Sequence, residues 1–81
     1  MGDIAVLREK LQARKFRRME VAAAIDGKVR DIRRALAGYP LDRIVDLPLE
    51  IVTRLAAEAR DLQKEYRRLN EEITEAEEEL A

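Results

Sequence analysis

The chemistry open to this chain rests first on its carboxylates. Six of its 17 acidic residues crowd the stretch from Glu71 to Glu79, where no base intervenes. Such a cluster can attract divalent cations loosely, but no loop spaces oxygen ligands around a calcium-sized ion. Carboxylate metal centres in helical bundles combine inward-facing Glu with Glu-x-x-His, and the sequence has no His. Cys, Trp and Ser are also missing. Together these absences remove disulfides, thiolate metal sites, Ser/His and Cys/His nucleophile pairs and an imidazole pH switch. Hydroxyls occur only on Thr53, Thr74, Tyr39 and Tyr66, and the glycines Gly2, Gly27 and Gly38 are too dispersed for a phosphate loop. The expectation is a non-enzymatic protein with no catalytic residue, no metal and no cofactor.

A second chemistry is cationic. The run Arg14-Lys15-Phe16-Arg17-Arg18, with Arg8 and Lys10 just before it, has the composition of a nucleic-acid or anionic-surface contact in which Phe16 would stack or insert. Two features weigh against that reading. The net charge is −1, and the acidic stretch at the other end of the chain can neutralise the run internally. Nucleic-acid affinity depends on basic surface that is not already paired. Internal pairing is therefore the favoured account, and a nucleic-acid-binding accessory role using Arg8, Lys10, Arg14, Lys15, Arg17 and Arg18 is the alternative.

The elements that carry these residues are helical. Charged residues make up 41% of the 81 positions and aromatic ones 4%, a mixture suited to long helices and coiled coils. Gly38, Pro40 and Pro48 bracket the one segment hostile to helix, so a helix is expected over about 3–37, a connector over about 38–46 and a second helix over about 47–80. Asp46 reads as the N-cap of the second helix. An alternative splits the first helix at Asp26-Gly27; the apolar spacing stays in phase across Gly27, which argues against a turn there.

Val52, Leu55, Ala59, Leu62, Tyr66, Leu69, Ile73, Ala76 and Leu80 alternate three and four apart, the signature of a coiled-coil seam. A matching stripe in the first helix runs Ile4, Leu7, Leu11, then Ala22, Ile25, Val29, Ile32 and Leu36, with Arg14, Lys15 and Arg18 across its middle. Pairing Leu36 with Val52, Ile32 with Leu55, Val29 with Ala59, Ile25 with Leu62, Ala22 with Tyr66, Leu11 with Ala76 and Leu7 with Leu80 gives residue numbers that always add to 87 or 88. That constancy predicts an all-α fold: two long helices in an antiparallel coiled-coil hairpin, associating into a four-helix bundle.

Charge supports the same alignment. Residues 1–40 hold ten bases and five acids, and residues 41–81 hold six and twelve. Glu77, Glu78 and Glu79 sit where negative charge opposes the helix dipole, so some other partner must favour them. The register places Glu71, Glu72 and Glu75 beside Arg14, Lys15, Arg17 and Arg18. Exposed pairs add only about 0.2–1 kcal/mol each, but the pattern selects one alignment over others.

Two further surfaces are expected. Phe16, Met19, Ala23 and Gly27 fall on the side of the first helix opposite its seam, where small residues would let a second helix approach while Phe16 and Met19 bury against it. This is the expected self-association face, with another copy of the chain as the partner. The connector carries Tyr39, Leu41, Ile44 and Val45, either capping the hairpin or docking a different protein. No uncharged run is long enough to span a membrane and no signal segment opens the chain, so a cytoplasmic location is expected. Arg outnumbers Lys twelve to four, which hints at a GC-rich bacterial source.

Overall fold

A computed structural model describes residues 2–38 and 47–81. Two helices account for nearly all of them: α1, Gly2–Leu36, and α2, Leu49–Leu80. They pack against each other along their length as an antiparallel hairpin measuring 66 × 15 × 14 Å. The helices form because both segments are rich in Ala, Leu, Glu and Arg and hold no interior proline.

α1 ends as its sequence suggests. The Ala37 amide donates to the Arg33 carbonyl at 2.9 Å, and Gly38 follows with φ +83°, a left-handed conformation that favours glycine. Gly27 does not break the helix. α1 runs unbroken through it, and Asp26 pairs with Arg30 one turn on, at 2.7 Å. α2 begins after Pro48, whose carbonyl accepts from the Val52 amide at 3.0 Å, with no side-chain cap. The expected cap, Asp46, lies outside the described residues, as do Tyr39, Leu41, Ile44 and Val45.

Among the described residues the buried side chains are Leu11, Val21, Leu69, Ile73 and Ala76. Leu11, Ile73 and Ala76 form one cluster with Leu80 packed against it. The hairpin is thus tightest toward its open end, where the start of α1 meets the finish of α2. The predicted register accounts for this cluster, since Leu11 faces Ala76 in it.

The seam of α1 departs from the sequence expectation at three positions, taking Val21, Lys28 and Ala35 where the expected stripe has Ala22, Val29 and Leu36, although Val29 is itself partly covered. Val21 is only 1% exposed, whereas Ala22, its expected occupant, faces solvent. The partly or fully covered positions of α1 include Leu7, Leu11, Arg14, Arg18, Val21, Ile25, Lys28, Ile32 and Ala35, alternating four and three apart without interruption. The heptad is therefore continuous, and three of its positions are cationic. Arg and Lys can occupy such positions because their aliphatic stems lie along apolar surface while the charged heads reach its edge. Ile4 and Leu36, at the two ends of the expected stripe, are 55% and 42% exposed.

Candidate functional site

Along one edge of the seam, α2 presents Glu58, Glu65 and Glu72, seven residues apart and all partly covered. Each takes a cation from α1. The Lys28 ammonium donates to Glu58 Oε2 at 2.6 Å. Arg17 donates through Nε and Nη2 to the two carboxylate oxygens of Glu65, at 2.8 and 3.2 Å. Arg14 Nε stands 3.4 Å from Glu72. Arg18 donates instead to the side-chain carbonyl of Asn70 at 3.0 Å. A seven-residue spacing keeps side chains on one face of a supercoiled helix, so the three pairs form a row.

These contacts perturb the groups that make them. The hydrogen bond from Lys28, helped by its charge, holds the Glu58 carboxyl below the usual carboxylate range. The hydrogen bond from Arg17 does the same for Glu65, and the Arg17 guanidinium is raised in return. Both carboxylates are therefore held in their charged form by the opposite helix.

The internal pairing predicted from the charge pattern is real but uses different acids. Of Glu71, Glu72 and Glu75, only Glu72 lies in an ion pair among the described residues; Glu65 and Glu58 supply the others. The reason is angular: Glu58, Glu65 and Glu72 flank the seam, whereas Glu75 lies further round α2 and Glu71 on its outer side, and both are exposed. The Glu58/Glu65/Glu72 repeat is present in the sequence, but the denser acidic cluster beyond it dominates the charge pattern. Of the six cations of the nucleic-acid reading, Arg14, Arg17 and Arg18 are engaged within the hairpin, while Arg8 and Lys10 are exposed and Lys15 is half-buried.

The opposite edge is open. A groove of about 790 Å³ runs between the helices over Ala22, Ile25, Val29, Ile32, Ala56 and Ala59, with Tyr66 at one end. Three of its lining residues are alanines, which leave volume that larger side chains would fill. Arg60, Lys64 and Arg67 line its α2 side.

The outer side of α1 carries the other apolar feature. Phe16 and Met19 are 65% and 70% exposed, Ala23 is exposed, and a Cβ added at Gly27 would meet nothing within 4 Å. The four expected residues thus share an uncovered face. Among the described residues, no group of His, Cys, Asp and Glu is placed to hold a metal ion, and no helix is long and apolar enough to cross a membrane. Comparison with protein-family models, curated proteins and solved structures finds no match to this chain.

Proposed function

We propose that this chain is a non-enzymatic assembly module: a helical hairpin that binds a second copy of itself through the outer face of α1, building a four-helix bundle. Phe16 and Met19 carry the reading. Two large apolar side chains standing mostly in water on one helix face are the usual mark of a surface awaiting a partner. Ala23 and Gly27, one and two turns on, add no bulk, so a second helix can come close beside them.

The surface of the isolated hairpin supports this. It exposes 6589 Å², roughly a third more than the about 5000 Å² typical of a folded monomer of 9.3 kDa. A two-helix hairpin shields only one side of each seam, and pairing hairpins is the common way to cover the rest.

Phe16→Asp tests the reading. The substitution should lower the mass measured by light scattering while leaving the helical circular dichroism unchanged. An unaltered mass would remove Phe16 from any interface.

A further inference from the structure

The ion pairs that close the hairpin leave one charged stripe of α2 entirely unused. Arg60, Lys64, Arg67, Glu71, Thr74 and Glu78 alternate four and three apart, so they share one side of the helix. Its first half lines the basic side of the apolar groove, and its second half, joined by Glu75, borders a shallow depression on α2. None of these charged side chains takes part in an ion pair among the described residues. The stripe is also sorted by sign, with three bases followed by acids.

A stripe sorted in this way is complementary to its own reverse. When a second α2 lies antiparallel against it, about a two-fold axis near Leu69, Arg60 of one copy faces Glu78 of the other. Arg67 faces Glu71, and Lys64 faces Thr74 with Glu75 beside it. Each pair occurs twice, as a two-fold interface requires. The matched stretch runs about 27 Å along the helix at 1.5 Å per residue. A parallel pairing in register, or an antiparallel one centred on the groove, would instead set Arg60, Lys64 and Arg67 against the same three bases.

We infer that α2 carries a second self-docking surface, in which a second copy lies antiparallel along Arg60–Glu78 and is read by charge. This contact also gives Glu78 a partner at the C-terminal end of α2, where the helix dipole disfavours acids, and uses Glu71 and Glu75, which take no ion pair among the described residues. It is distinct from the Phe16/Met19 face, lying on the other helix, and it does not rest on that face being an interface. Because its contacts are charged and exposed, it weakens with salt, whereas an apolar face does not.

The test measures mass by sedimentation at about 50 mM and about 500 mM salt. Two triple variants are made, Arg60→Glu/Lys64→Glu/Arg67→Glu and Glu71→Lys/Glu75→Lys/Glu78→Lys. Each variant alone should associate at low salt roughly tenfold or more weakly than the parent. Mixed one to one, the all-acidic and all-basic stripes should recover the association, and high salt should abolish the recovery. The mixture guards against a variant that merely folds poorly, because recovery needs both to be folded. Variants that associate like the parent, or a mixture that stays apart, would overturn the inference. Phe16→Asp runs alongside: loss of mass there with no effect of the charge variants sinks this surface and spares the α1 face, and the reverse pattern does the opposite.

Discussion

Val21→Ala probes the feature of the hairpin that adjacent apolar residues conceal. Val21 is 1% exposed, and the substitution removes two methyl groups from a closed site. At about 0.8 kcal/mol per buried carbon the transfer loss is roughly 1.6 kcal/mol. Incomplete collapse of the site adds a cavity cost, for a total of about 2 kcal/mol. Ala22, one residue on, is exposed, so Ala22→Gln should change stability by less than about 0.5 kcal/mol. If Ala22 were the seam residue, its glutamine would instead be buried at considerable cost. Urea unfolding followed by circular dichroism measures both, at one protein concentration because the proposed self-association would make stability depend on it. A loss under about 0.5 kcal/mol for Val21→Ala, or a larger loss for Ala22→Gln than for Val21→Ala, would refute the continuous heptad.

Four other outcomes follow from the same geometry. Ile73→Ala, at the most closely packed end of α2, should cost about 2–5 kcal/mol, and a loss below about 1 kcal/mol would mean the cluster around Leu11 is not a core. Gly27→Ala should stabilise the helix by about 0.5–1 kcal/mol, since its methyl meets open space, whereas Gly27→Leu should reduce the assembled mass; equal effects of the two on mass would argue against close helix approach there. Acid should destabilise the hairpin: Glu58 and Glu65 have depressed folded values, so their contribution is complete above the ordinary glutamate value of 4.5 and is lost as pH falls through the lower folded values. Glu65→Gln should flatten part of that acid limb, and a titration with the same slope as the parent would deny Arg17–Glu65 a role. Titrating duplex DNA or RNA at about 50 mM salt should give no binding, because half of the basic run is engaged inside the hairpin; firm binding that weakens with salt would revive the alternative.

The antiparallel hairpin was legible because α2 keeps one spacing over its whole length and because register is additive. A residue pairing that holds at Leu11 and Ala76 constrains all the others, and Gly38 with two prolines leaves one place for the chain to reverse. α1 was harder to read. Val21 and Ala22 are adjacent and both apolar, so type alone does not choose between them. The choice is made by Arg14, Arg18 and Lys28, which continue the heptad with their stems but look like interruptions when only apolar residues are counted. The ion pairs show the same effect in reverse. Charge density pointed to Glu71 and Glu75, while geometry selected Glu58, Glu65 and Glu72, each a heptad apart. Phe16, Met19, Ala23 and Gly27 were placed together by helical periodicity alone, and periodicity says which residues share a face without saying what covers it.

The proposed binding of this hairpin to its own kind is tested most directly by sedimentation equilibrium of the unaltered chain. At about 100 µM protein and low salt the mass should be a multiple of 9.3 kDa and should fall on dilution. A mass of 9.3 kDa at every concentration would contradict it.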